Sequence, residues 1–387
     1  MTVGWDEDPA VAAWPGLPVL DGHRTADACV VGLGGSGLAA IETLAARGLS
    51  VVGVDAGRVA TGAAGRNGGF LLGGPAAFFH RAIGLWGAET AAQMYRETIA
   101  ELDRMSALLG PDVVRREGSV RLAGLPGEPQ SSDEADDRAA EVQDCAAQAD
   151  ALQAYGIAFE WYDGPLGTGL FLNADGSNNP AVRVLASAHR LVATGAVGLF
   201  ENTTVTAIAP GQVSTPSGDV SAGVVIVAID GRLEVLLPQL AGRVRTARLQ
   251  MLATAPVAPG RLPCPVYGRW GYDYAQQLPD GRLFVGGGRD RFVDDEWTTA
   301  TEPTAAVQQH IDGVAVRMAG ATVTVTHRWA ASVGFTSDGR PLCTEVADGV
   351  VAIGGYNGTG NLVGPIAARA AVALALDGTR PPPSFTT

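Results

Sequence analysis

Six consecutive residues, Gly32-Leu33-Gly34-Gly35-Ser36-Gly37, carry the most specific chemistry in the sequence. Each glycine of this GxGxxG pattern has a physical task. Gly32 permits a tight turn, Gly34 lets the backbone approach a pyrophosphate, and Gly37 lets the next helix lie close to a strand. The first amides of that helix, those of Gly35 and Ser36 among them, offer N–H groups and a partial positive charge to phosphate. Asp55 closes the following apolar run, where a carboxylate can accept ribose hydroxyls. The expected ligand is a dinucleotide.

Two more Gly-rich loops, 62–69 and 354–360, would each bring backbone close to a large flat ligand. A nicotinamide dehydrogenase needs neither. A flavin reductase would need a second fingerprint for the nicotinamide, and residues 70–340 hold none. The reading is therefore FAD, reduced by the substrate itself. Neither flavin loop contains Cys or His, so the FAD is expected to be non-covalent.

These residues need elements to position them. Residues 28–31 read as a strand, 38–47 as a helix stopped by Gly48, and 49–54 as a second strand. Residues 61–74 read as a Gly-rich loop, 77–109 as one helical stretch, and 124–140 as an acidic, turn-rich surface loop. Helix returns at 141–155 and again from Asn179, with Pro180 near its first position. Residues 199–231 read as three strands with tight turns, 244–297 as antiparallel strands, and 303–319 as helix. A strand at 350–354, a Gly-rich loop and a helix at 362–376 repeat the opening theme. The expected fold is α/β plus α+β: a discontinuous Rossmann-like FAD-binding domain from residues 25–76, 179–240 and 326–380, with a mostly antiparallel-sheet substrate domain from 77–178 and 241–325.

Composition removes whole classes. Apolar residues are 47% and charged ones 17%, which is globular rather than disordered. All 27 basic residues are Arg. Without Lys there is no Schiff base for pyridoxal phosphate or aldolase chemistry, and no P-loop. A net charge of −13 speaks against a nucleic-acid partner. The scattered cysteines, Cys29, Cys145, Cys264 and Cys343, make neither a disulfide framework nor a metal site. No apolar run spans a bilayer and no leader precedes the fold, so no membrane partner and a cytoplasmic location are expected. The Arg-, Ala- and Gly-rich composition points to a bacterial source. The oligomeric state is left open.

The segments ACVVGLGGSGLAA, VVGVDAGRVATGAAGRNGGF, NTTVTAI, GVVIVAIDG, RLFVGGG, HRWAASVGFTSDGRPL and AIGGYNGTGN together resemble the FAD-dependent D-amino-acid oxidase superfamily. The nearest branch is that of γ-glutamylputrescine oxidase, sarcosine oxidase and glycine oxidase, and the likeness covers roughly residues 25–378. It implies that Gly32, Gly34, Gly37 and Asp55 hold the ADP half, and that Val205 contacts adenine through its backbone. It implies that Arg66, Asn67, Gly68 and Gly69 form the turn beside the isoalloxazine. Gly355, Tyr356, Asn357, Gly358, Thr359 and Gly360 resemble the C-terminal flavin loop, and the helix starting near Asn361 would aim its positive end at the pyrimidine end of the ring. The family often has Ser at Ala64 and His at Thr359.

The reaction so implied is oxidation of a small-molecule amine at its C–N bond, by hydride transfer to flavin N5. The imine then gives an aldehyde plus ammonia or an amine, with H2O2 if oxygen is the acceptor. The alternatives are an amine or 2-hydroxy-acid dehydrogenase with another acceptor, a D-amino-acid or glycine oxidase, and a flavin protein without turnover. Arg66, Tyr272 and Trp329 are the catalytic candidates. Tyr272 and Tyr274 are expected on one face of a strand, and Arg269, Tyr274 and Arg289 are the candidate substrate contacts. Arg289 and Asp290 could instead be a turn-side ion pair. Glycine-oxidase-like relatives clasp a substrate carboxylate with an arginine where this chain has Val333. Sarcosine-oxidase-like relatives promote oxygen reaction with a lysine whose position falls near Phe284, leaving Arg66 as the substitute cation or oxygen as a poor acceptor.

Overall fold

The computed structural model describes residues 3–386. The chain falls into two compact units. One comprises Asp8–Arg66, Asn179–Ala247 and the chain from Ser332 onward. The other comprises the chain as far as Glu7, Asn67–Asn178 and Arg248–Ala331. The boundary expected after residue 76 therefore falls between Arg66 and Asn67. The cause is local: Phe70–Leu71 pairs with Gly176–Ser177 and so joins the second group of segments.

The first unit is built on a sheet whose main path runs Leu342–Ala347, Val350–Gly354, Gly218–Val227, Gly22–Val31, Val51–Val54, Val197–Phe200. The last five are mutually parallel, and Leu342–Ala347 pairs antiparallel at the edge. Strands buried on both faces read as continuous apolar runs, as 28–31 and 51–54 do. The chain order reverses between Gly22–Val31 and Gly218–Val227, so ligands belong outside the carboxyl ends of these strands. Helix Gly35–Ala46 crosses from the first strand to the second. It lies close because Gly53 leaves room: a Cβ there would stand 2.7 Å from Ile41 Cδ1. Helix Gly360–Asp377 packs against it, with a Gly364 Cβ position only 3.3 Å from Ser36 Cβ.

The second unit holds a largely antiparallel sheet in the order Val325–Phe335, Arg245–Thr254, Leu283–Gly286, Asp273–Gln277, Val266–Gly268, Ser119–Leu122, Gly167–Leu172, Glu160–Gly164. Helix Ala305–Ala319 buries Val307, Ile311, Val314, Ala315 and Met318, a single apolar stripe, against Leu252, Val266, Leu283 and Val285. The stretch read as one helix at 77–109 is two, Phe79–Trp86 and Ala88–Leu109, because Gly87 sits at φ +84° and breaks it. The stretch read as an acidic loop is helix from Ser132, part of Ser132–Ala154. Ser131 Oγ accepts the Glu134 N–H at 3.2 Å, and Asp133 and Glu134 lie at the positive helix end. No helix among the described residues is long and apolar enough to cross a membrane.

Candidate active site

In the parallel-sheet unit the fingerprint closes as a tight cradle. Gly32 has φ +102°, and a Cβ on it would stand 2.6 Å from Ala228 O at the end of the neighbouring strand. A Cβ on Gly37 would stand 1.8 Å from Gly32 O, a distance no side chain tolerates. Gly34 caps helix Gly35–Ala46, and a Cβ on it would meet only Ala64 Cβ, at 3.3 Å. The helical ladder begins with Leu38 N–H to Gly34 O at 3.0 Å, so the amides before it point out of the helix end.

Asp55 closes the cradle. Its Oδ2 accepts Leu33 N–H at 2.7 Å and its Oδ1 accepts Gly57 N–H at 2.9 Å. Burial raises its carboxyl above the usual range, while these two amides oppose the shift. Its backbone oxygen accepts Thr203 N–H at 2.7 Å, in the segment that also carries Val205. Buried Glu201 fixes that segment by accepting Trp14 Nε1–H at 2.8 Å, Leu17 N–H at 2.9 Å and Val59 N–H at 2.6 Å.

The C-terminal loop is pinned from outside itself. Asp230, at the end of the 218–227 strand, accepts Tyr356 N–H and Gly334 N–H, each at 3.1 Å. Asn357, at φ +54°, donates its N–H to Gly334 O at 3.0 Å and accepts Thr336 N–H through Oδ1 at 3.0 Å. Gly355 and Gly358 take positive φ, and Thr359 Oγ1 donates to Tyr356 O at 2.8 Å. Gly360 and Asn361 already belong to the first turn of the helix, which begins two residues before the expected start.

Arg183 joins this cradle without any signal in the local sequence. It is 3% exposed, its Nη1 lies 3.1 Å from the Cβ position of Gly35, and its Nη2 donates to Asn361 Oδ1 at 2.9 Å. It thus stands at the amino ends of both helices that bear Gly-rich loops. Arg66 ends the short helix Ala63–Arg66, and its Nη1 reaches Gly65 O at 3.4 Å.

The antiparallel-sheet unit carries the rest of the turn. Gln276 donates to Gly68 O and, at 3.3 Å, to Asn178 O, while its Oε1 accepts Arg115 Nη2–H at 2.9 Å. Tyr274 lies against Gly68, where a Cβ would stand 2.8 Å from its ring. Phe70 meets Tyr274 edge-on at 5.6 Å and Tyr267 at 6.4 Å. Burial raises both phenols, so both tyrosines are neutral at ordinary pH. Tyr274 and Tyr267 thus form an aromatic wall beside the glycine turn; the sequence reading named only the first.

Three expectations need correction. Tyr272 does not share a strand face with Tyr274. The strand is Asp273–Gln277, and Tyr272 closes the preceding turn, 42% exposed, after left-handed Arg269, Trp270 and Gly271. Arg269 is not available to a substrate. It donates to Asp273 (2.6 and 3.3 Å) and to Asp290 (2.7 Å twice), and two carboxylates saturate it. Asp290 therefore pairs with Arg269, not with Arg289, whose guanidinium stacks over Trp297 at 4.5 Å. Trp329 is 1% exposed and packs edge-on against Phe284, so protein already covers its ring.

Comparison with known proteins agrees with this geometry. A family model described as FAD dependent oxidoreductase matches residues 27–374. A probable oxidoreductase, OrdL, of Rhizobium meliloti is 28% identical, covering 94% of this chain and 86% of its own length. L-proline dehydrogenase from P. horikoshii superimposes with a TM-score of 0.71 at 16% identity, over 95% of this chain and 96% of its own. Glycine oxidase from Geobacillus kaustophilus does so with a TM-score of 0.70 at 18% identity, over 92% of this chain and 96% of its own. The structural likenesses show a shared fold. With its family model matched over most of its length, the chain belongs to the FAD-dependent oxidoreductase family and is an enzyme of that kind.

Proposed function

We propose that the protein oxidises an amine at its C–N bond with non-covalently held FAD, releasing an imine that water converts to an aldehyde and ammonia or an amine. The observation that carries this reading is the aromatic wall of Tyr274, Phe70 and Tyr267 beside Gly68, whose two phenols burial keeps neutral. Bound FAD would supply the hydride acceptor. The residues fit that group. Gly32 and Gly37 pack backbone on backbone with no room for a Cβ, and Gly34 leaves its backbone bare but for Ala64 Cβ. The Gly35 and Ser36 amides lie at the helix start, and Asp55 keeps a lone pair on each oxygen for ribose.

The protein's own task is orientation. A neutral amine over an aromatic surface needs no strong base to lose hydride; it needs a fixed pose and exclusion of water. Non-covalent attachment is supported by Cys343, the cysteine nearest the C-terminal loop in sequence. It is fully buried in a strand, and burial pushes its thiol up to about 12, far from a reactive thiolate.

The substrate is a larger or N-substituted amine rather than a simple α-amino acid. Val333 offers no charge, Arg269 is held by two aspartates, and Arg289, the other candidate cation, stacks over Trp297. A buried carboxylate without a cation would lose several kcal/mol. The test is incubation of FAD-loaded protein with a panel of primary and secondary amines, amino acids and 2-hydroxy acids, with carbonyl and amine products quantified. Equal yields of aldehyde and released amine support the reading. Products from 2-hydroxy acids alone would overturn it.

A further inference from the structure

The first described residues form a strap on the antiparallel-sheet unit. One turn of 3-10 helix, Gly4–Glu7, buries Trp5 completely. The indole lies flat on Phe284, with ring centroids 3.6 Å apart and planes 13° from parallel. Gly4 allows this approach, since a Cβ on it would stand 2.7 Å from Ala253 Cβ. Arg282 fastens the strap at both ends: its Nη1 donates to Gly4 O at 3.3 Å and pairs with Glu7, which also lies 3.6 Å from His327 Nε2.

Trp5 Nε1–H donates to Asn67 O at 3.0 Å. Three of the four carbonyls of the 66–69 turn are thereby taken by groups remote in sequence. Trp5 holds Asn67 O, Gln276 holds Gly68 O, and Asn178 N–H holds Gly69 O at 2.9 Å. A trans peptide is planar, with C=O and N–H pointing opposite ways. Anchoring Gly68 O therefore aims Gly69 N–H, and Asn67 Oδ1 accepts that group at 2.8 Å. Anchoring Asn67 O aims Gly68 N–H in the same manner.

We propose that Trp5 is a positioning residue: its indole N–H fixes the 67–68 peptide so that the Gly68 amide faces the flavin. This rests on the reading that the 66–69 turn meets the flavin ring. Phe284 serves as the platform that holds the indole in place, which gives that buried ring a role independent of charge.

The test is Trp5→Phe, which keeps a ring on Phe284 and deletes the donor. Glu7→Gln, at an exposed position, is the second variant should the first fail to fold. In the cofactor-stripped protein, amide hydrogen exchange at Gly69 and Asn178 is expected to rise roughly 2- to 12-fold, the range a lost neutral hydrogen bond gives. FAD affinity is expected to weaken over the same range, with a shifted visible spectrum of the bound flavin. Unchanged exchange in both variants overturns the proposal. Faster exchange with unchanged affinity and spectrum also overturns it, and places the fault in the reading of the turn as a flavin contact rather than in the strap.

Discussion

Asp55→Ala is the substitution whose effect the structure sizes most directly. The backbone of Asp55 is held on both sides, by Asp55 N–H to Phe200 O at 3.0 Å and Thr203 N–H to Asp55 O at 2.7 Å. The chain therefore stays in place and only the carboxylate leaves. Two backbone amides, Leu33 N–H and Gly57 N–H, lose an ionic acceptor. Hydrogen bonds to charged groups contribute roughly 1.5–3 kcal/mol each. The carboxylate's own desolvation, which raises its pKa, offsets much of that gain, so the protein without FAD should lose only about 1 kcal/mol. The loaded protein loses the ribose contact as well. That adds about 1.5–3 kcal/mol to the binding free energy, or roughly 10- to 150-fold in Kd. Asp55→Asn keeps the shape but turns an amide NH2 toward one of the two N–H donors, so it should fall between. FAD titration by fluorescence quenching, beside urea unfolding of the stripped protein, reads both quantities. An Asp55→Ala protein whose FAD Kd stays within threefold of the parent would refute the fingerprint reading of this carboxylate.

Gly37→Ala forces a Cβ to within 1.8 Å of Gly32 O, and backbone rather than a flexible side chain must give way; the purified protein should carry little FAD. Gly48→Ala, at φ +80° with nothing within 4 Å of its Cβ position, should cost about 1 kcal/mol and keep its FAD. Burial pushes the Asp175 carboxyl from 3.8 up to about 7. The native state thus holds a proton that the unfolded chain releases. Its contribution to stability is complete below about pH 4 and is lost as pH rises through about 7. Asp175→Asn should flatten the fall in unfolding free energy across that window. Arg66→Met should slow reoxidation of the substrate-reduced enzyme by air tenfold or more in stopped flow. Slow reoxidation of the unmodified enzyme beside rapid turnover with a quinone would make it a dehydrogenase.

The parts legible in the sequence are those whose physics is local. The fingerprint announces itself because strand, glycines, helix and Asp55 lie within one short stretch, and the strand 350–354 with its Gly-rich loop repeats the signal. The rest depends on partners far apart in the chain. Gln276 reaches Gly68 and Asn178, Trp5 reaches Asn67, Glu201 gathers Trp14 and Val59, and Arg183 meets Asn361. Arg269 looks like a substrate cation until Asp290 folds back onto it. Tyr272 fits an alternating pattern, but left-handed Arg269 and Trp270 delay the strand by a residue, and no propensity rule anticipates two such non-glycine residues in succession. The acidic run at 131–137 is different, because its signal was present: Ser131 followed by Glu134 is a helix start, and Arg317 completes it by pairing with Glu134.

The most direct test of the central claim is anaerobic titration of the FAD-loaded protein with secondary amines, glycine and a 2-hydroxy acid, each followed by flavin absorbance. The account predicts that a secondary amine bleaches the flavin stoichiometrically and far faster than glycine does. Bleaching by the 2-hydroxy acid with no response to any amine would contradict it.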